Sequence, residues 1–222
     1  MKFTLNQRYF LGAAIVILAC LAGILIAYPK LPAMVPVHWN AHGEVDSWGP
    51  KWSLFLWGPG MMLGFVLLFA ALPWLSPRKF DVNTFRPTYL YIMIVFVAVL
   101  AYINVMTLVA ALGVMTDIGR AVVGGVCLLI ALLGNVLGKV RRNFYIGIRT
   151  PWTIADERVW NKTHRLAART SFVCGLLGLI LVLARAPIWL ALVAVMTGPI
   201  APAFYSLFYY KQLEHRGELN NS

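Results

Sequence analysis

The sequence predicts an all-α integral membrane protein. It has six transmembrane helices, both termini inside, a small β-like loop outside between helices 1 and 2, and an ordered cytoplasmic loop between helices 4 and 5. Three observations predict this. First, 60% of the 222 residues are hydrophobic and 12% are charged, about half the ~25% charge of a soluble domain. Together with a mean hydropathy of +0.75, this excludes a disordered chain, a secreted disulfide scaffold and an ordinary soluble enzyme. Second, six stretches hold no Asp, Glu, Lys or Arg: 9–29, 52–77, 87–116, 121–138, 170–184 and 186–210. A spanning helix needs about 20 apolar residues. Third, fifteen of the nineteen Lys and Arg residues fall in alternate connecting segments, which is the asymmetry that orients a multi-pass protein with those segments in the cytoplasm.

The chain reads as one membrane domain, 1–222. Helix 1 is expected at 9–29. Lys2 and Arg8 precede it, but Tyr28-Pro29-Lys30 is no small-residue cleavage site, so the helix is expected to stay. Helix 2 is expected at 53–75 and helix 3 at 88–112, joined by a short segment carrying Arg78, Lys79 and Arg86. Helix 4 is expected at 121–138. Helix 5 has a charge-free part too short to span, so it is placed at 166–184, with Arg169 and Arg185 snorkelling to opposite surfaces. Helix 6, at 187–210, is interrupted by Gly198, Pro199 and Pro202, which predicts a kink. In this topology only Lys30, Lys51, Arg120 and Arg185 are basic residues outside. The net charge of +11 is then a topology signal, and no direct nucleic-acid partner is expected. Cys20, Cys127 and Cys174 all lie within spans, where they act as small apolar residues.

The outer loop, 28–51, opens on Pro29, Pro32 and Pro36. Val35, Val37 and Trp39 alternate with other residues, as a strand would. A turn at Asn40-Ala41-His42-Gly43 and a second extended piece near Glu44–Trp48 predict a small hairpin. Trp39, Trp48, Trp52 and Trp57 fit an interfacial aromatic belt. His38, His42, Glu44 and Asp46 are four metal-ligand types within nine residues. On a helix the two histidines would share a face, as in a zinc-binding HExxH pair. Pro36 and Gly43 argue against a helix, and turn bonding accounts for Asn40 and Asp46. No metal or other cofactor is expected.

The inner loop, 139–165, opens on Lys139, Arg141 and Arg142. Thr153 reads as a helix N-cap, with Asp156 three residues on. From Ile154 onward, Trp160, Thr163, Ala167 and Thr170 share one face. Arg158, Lys162, Arg165 and Arg169 share another. This predicts an amphipathic helix resting on anionic lipid and running into helix 5. Lipid contact leaves the Gly147–Thr153 stretch, whose one charge is Arg149, unexplained. That stretch reads as a shaped turn, in which Arg149 makes a planar, multi-donor contact that lysine could not replace. Within the spans, Asn104 lies near the middle of helix 3 and Asn135 near the inner end of helix 4. Thr107, Ser171, Thr197 and Ser206 add hydroxyls. Such asparagines bond neighbouring helices or line a solute pathway. No nucleophile, base and acid come together on one side of the membrane, so no enzymatic activity is expected.

The run from Asn143 to Ala167 resembles the signature of the SdpI family of bacterial membrane immunity proteins. The matching positions are Asn143, Gly147, Arg149, Thr150, Pro151, Trp152, Thr153, Trp160, Lys162, Thr163 and His164. The outer loop, with His38, Trp39, Asn40, Gly43, Asp46 and Trp48, resembles an uncharacterised domain common in the N-terminal half of such proteins. The resemblance implies a six-span protein of the bacterial plasma membrane with no catalytic residue. The family's founding member protects a toxin-producing cell from its own secreted peptide and holds a transcriptional repressor at the membrane when toxin is bound. The partners so implied are the lipid bilayer, a peptide toxin outside and a repressor inside. The alternative from another class is a small-solute transporter working through Asn104 and Asn135.

Overall fold

The computed structural model describes residues 5–40, 44–114 and 117–219. Six helices are long and apolar enough to cross a membrane, as the charge-free stretches predict. They are α1 (Leu5–Ala27), α2 (Ser53–Leu75), α3 (Arg86–Ala111), α4 (Ile118–Leu137), α6 (Glu157–Leu183) and α7 (Ile188–His215), with a short helix α5 (Pro151–Ala155) between α4 and α6. The chain is therefore an all-α multi-pass protein carrying one small two-stranded sheet.

Several helix ends depart from the charge-free stretches, because a charge limits burial in lipid without ending a helix. α7 runs past Lys211 to His215. α3 stops at Ala111, and Gly113 then turns with φ +76° although the apolar run continues. The largest departure is α6. The expected cytoplasmic helix and helix 5 are one continuous helix of 27 residues. Its start is also displaced. Thr150, not Thr153, is the N-cap of α5, and Thr153 closes the capping box from the third helical position. Asp156 then caps α6, accepting from the N–H groups of Arg158 (2.8 Å) and Val159 (3.4 Å). Two residue pairs at the right spacing competed for one cap, and the second threonine favoured the earlier one.

Proline inside a span leaves the carbonyl four residues earlier without its N–H partner. At two of the prolines a neighbouring helix supplies the missing donor. Pro73 frees the Phe69 carbonyl, and the Tyr89 hydroxyl of α3 donates to it at 2.7 Å. Pro202 frees the Gly198 carbonyl, and the Thr170 hydroxyl of α6 donates to it at 2.6 Å. These bonds tie α2 to α3 and α6 to α7. α2 also contains a π-helical turn, Leu56–Gly60, around Pro59, a register change that hydrophobicity does not encode.

α6 packs along both α4 and α7. A side chain at Gly175 would stand 2.6 Å from the Ala131 nitrogen, so only glycine permits this approach of α6 to α4. One core runs among α1, α2 and α3 and reaches Trp160 of α6. A second joins α4, α6 and α7. At the outer end, strands β1 (Met34–Trp39) and β2 (Val45–Pro50) pair antiparallel, with Val35 opposite Gly49 and irregularities flanking His38. The hairpin sits on a small core of Ile24, Leu31, Val35 and Leu54. Lys51 pins it by donating to the Tyr28 carbonyl at 3.2 Å.

Candidate functional site

The motif residues converge at the cytoplasmic end of α6. Asn143 is fully buried. Its amide nitrogen donates to the carbonyls of Arg141 (2.8 Å) and Ile146 (3.0 Å), and its oxygen accepts from the N–H groups of Tyr145 and Ile146, both at 2.8 Å. Two donors and two acceptors are what an asparagine amide offers, so the turn 141–146 is wound around one side chain.

The chain then passes Gly147, whose φ is +116°. A Cβ there would lie 2.3 Å from the His164 Nε2. The space is needed because Nε2 accepts from the Ile148 N–H at 3.0 Å, while Nδ1 donates to the Trp160 carbonyl at 2.8 Å. These two bonds select the neutral Nδ1–H tautomer. The His164 ring stacks on Trp160 at a centroid distance of 4.0 Å, and the Trp160 indole donates to the Val140 carbonyl at 2.8 Å.

Thr153, wholly buried, donates to the Ile148 carbonyl at 2.8 Å and accepts from the Thr150 N–H at 2.9 Å. Pro151 stands at the start of α5, where its missing N–H costs nothing. Trp152 donates through its indole to Ser206 of α7, and Ser206 donates to the Ala203 carbonyl at 2.5 Å. Lys162 places its ammonium 5.2 Å from the Tyr209 ring centroid. Thr163 is buried, and its hydroxyl has no partner among the described residues.

Two sequence expectations change here. The face of Trp160, Thr163 and Ala167 is wholly buried against protein, so it does not rest on lipid. The opposite face of Arg158, Lys162, Arg165 and Arg169 is exposed. The multi-carbonyl arginine is Arg142, which reaches Ile154 (3.2 Å) and Ala155 (3.3 Å) at the C-terminal end of α5 and lies over the Phe80 ring. Arg149 is exposed and donates to the Phe144 carbonyl. Arg158 pairs with Asp156 at 2.8 Å. That guanidinium first, and the backbone N–H groups of Arg158 and Val159 after it, hold the Asp156 carboxyl below its usual range. The contacts of Ser206, Val140 and Arg142 were missed because their partners lie far off in sequence. Only the hydroxyl at Ser206 in an apolar span hinted at a contact.

At the outer end, His38 and Asp46 pair across the hairpin at 2.5 Å. Asp46 thus belongs to a strand rather than a turn. Asn40 and Glu44 bond each other through side chain and backbone. His42 and Gly43 lie outside the described residues, and no metal-binding group of three side chains occurs among the described ones. Trp48, Trp52 and Trp57 are exposed, and Trp39 is half-buried. The two asparagines do not share a pathway. Asn104 is buried beside the hairpin, donating to the Leu54 carbonyl at 3.4 Å, while Asn135 is on the exposed surface of α4.

Six spans bound together by an ordered loop at one end and capped by a hairpin at the other define a multi-pass membrane protein of two unlike halves. The comparisons divide it the same way. Residues 139–206 match the SdpI/YfhL protein family, and residues 14–63 match a domain of unknown function, DUF1648. The chain is 27% identical over 202 residues to "Immunity protein SdpI" of Bacillus subtilis (strain 168), covering 89% of this chain and 95% of that protein. The resemblance read from the motif therefore holds, and the chain is a multi-pass protein of the bacterial plasma membrane. No solved structure matches it.

Proposed function

We propose that this protein is a membrane immunity protein that gives its cell tolerance to a secreted antimicrobial peptide. It acts by binding, without catalysing a reaction. The observation that carries this reading is the similarity to an immunity protein across nearly the full length of both chains. On this reading the termini are cytoplasmic and the hairpin meets the peptide outside. The inner loop serves mainly to clamp α4, α6 and α7, because Asn143, Thr153, Trp160 and His164 are all engaged in internal bonds. The exposed basic side chains around it, Arg141, Arg149 and Arg165 among them, form the face that would receive a cytoplasmic repressor.

The test is survival. Expression in a peptide-sensitive bacterium is expected to raise survival against the cognate peptide. Substitutions at Trp39, Asp46 and Trp48 are expected to reduce it while membrane insertion is kept. Saturable solute uptake that requires Asn104, with no peptide giving protection, would overturn this reading in favour of a transporter. A fluorescently tagged repressor that stays in the cytoplasm after peptide addition would remove the signalling role alone.

A further inference from the structure

Three side-chain polar atoms are buried with no hydrogen-bond partner among the described residues: Trp39 Nε1, Ser53 Oγ and Thr163 Oγ1. A buried polar group left unpaired is costly, so such a group calls for an explanation. Trp39 and Ser53 come from the hairpin and from the start of α2, yet both line one cavity of about 190 Å³ beneath the hairpin. Asn104 of α3 forms another wall. Its nitrogen makes a long bond to the Leu54 carbonyl, and its oxygen accepts none among the described residues. The π-helical turn of α2 sets this wall. Gly58 approaches so closely that a Cβ would stand 2.2 Å from the Asn104 Nδ2. The Thr107 hydroxyl, also in the lining, donates to the Ile103 carbonyl of its own helix at 2.9 Å, and most of the other walls, Leu54, Met61 and Leu100 among them, are apolar.

We propose that this cavity binds a neutral peptide group together with one aliphatic side chain, presented at the outer face. The proposal rests on the reading that the outer face meets a peptide, and it names the part of the peptide that is held. The chemistry follows from the lining. An indole N–H only donates, so the occupant offers an acceptor such as a carbonyl oxygen. The Asn104 oxygen only accepts, so the occupant also offers an N–H. One amide supplies both. No ionisable side chain lines the cavity, so a charged group would be buried without compensation. The apolar walls take a branched aliphatic chain.

The full-length protein in phospholipid nanodiscs, with tryptophan labelled at the indole nitrogen, provides the test. The Trp39 signal is assigned by its loss in Trp39→Phe, and N-acetyl-L-leucinamide is the probe. The expected result is a saturable shift of the Trp39 indole resonance, with the Trp160 indole unmoved at the other end of the molecule. Ser53→Ala and Asn104→Leu are each expected to weaken binding about fivefold, the scale of one hydrogen bond. N-acetyl-L-leucine, which carries a carboxylate, is expected to bind at least tenfold more weakly. A shift that never saturates marks a cavity holding only water, and it overturns the proposal. So does equal affinity for the neutral and charged probes, an arm that needs no variant. No toxin enters the titration, so its result is independent of the survival assay.

Discussion

At the scale of single residues, Asn143 shows what the motif is for. Both donors and both acceptors of its amide are used within the loop. Asn143→Asp keeps the shape but removes both donors and sets a carboxylate oxygen against the carbonyls of Arg141 and Ile146. Each buried group left unpaired costs about 1–3 kcal/mol, so with two carbonyls unpaired the variant is expected to lose about 2–6 kcal/mol of unfolding free energy by denaturant titration in detergent. Retention of wild-type stability would show that the loop is not built on this amide. Gly147→Ala offers an independent check. The new Cβ meets His164 at 2.3 Å in a left-handed backbone, so the Ile148 bond breaks and the unfolding midpoint falls. Gly138→Ala, whose Cβ would meet Ala168 at an ordinary 3.5 Å, is the control expected to leave that midpoint nearly unchanged. The sequence named Asn143, Gly147 and His164 through a resemblance, without giving the reason for any of them. The reason lies in contacts such as Ile148 with His164, sixteen residues apart, which no local spacing reveals. Arg142 and Ser206 stayed hidden for the same cause, and Arg149 drew the role that Arg142 fills.

At the scale of elements, the six spans were legible because the bilayer demands long charge-free runs, and those runs are written directly in the sequence. The helix ends were not. The exposed face of α6 carries Arg158, Lys162, Arg165 and Arg169, charges that suit a helix leaving the membrane as well as one lying on it. The π-helical turn in α2 was invisible, because a shift of backbone hydrogen-bond register changes no side chain's polarity. The prolines were visible, but their remedy was not. Thr170 donates to the carbonyl that Pro202 leaves free, and that bond makes a prediction. Thr170→Val is expected to destabilise the protein by about 0.6–1.7 kcal/mol, the range for hydroxyl bonds between membrane helices. Thr197→Val removes a bond within α7 to Val193 and is expected to change stability less. Pro202→Ala restores an N–H to that carbonyl, so adding it to Thr170→Val is expected to recover part of the loss. A double variant no more stable than Thr170→Val alone would mean that the freed carbonyl is not what the threonine serves.

At the scale of the whole molecule, orientation decides which end meets a secreted peptide. The fold groups the loops by end. The Phe80 and Phe144 rings lie 4.3 Å apart, and the Tyr145 hydroxyl donates to the Leu75 carbonyl, so the segment after α2 and the inner loop share one end. The hairpin, packed on Leu108 and Ala111 of α3, caps the other. Among the described residues, fourteen of the eighteen Lys and Arg belong to the end with the inner loop, the asymmetry that marks a cytoplasmic end. Cysteine labelling tests this. With Cys20, Cys127 and Cys174 replaced by alanine, a single cysteine is placed at Ser47 or at Glu157, both exposed. Asn161 is half-buried and would report poorly. In intact cells an impermeant thiol reagent is expected to label position 47 and to spare position 157 until the membrane is opened. The reverse pattern would place the hairpin and its cavity in the cytoplasm. No peptide arriving from outside would then meet them first, and the immunity reading would lose its binding face together with its topology.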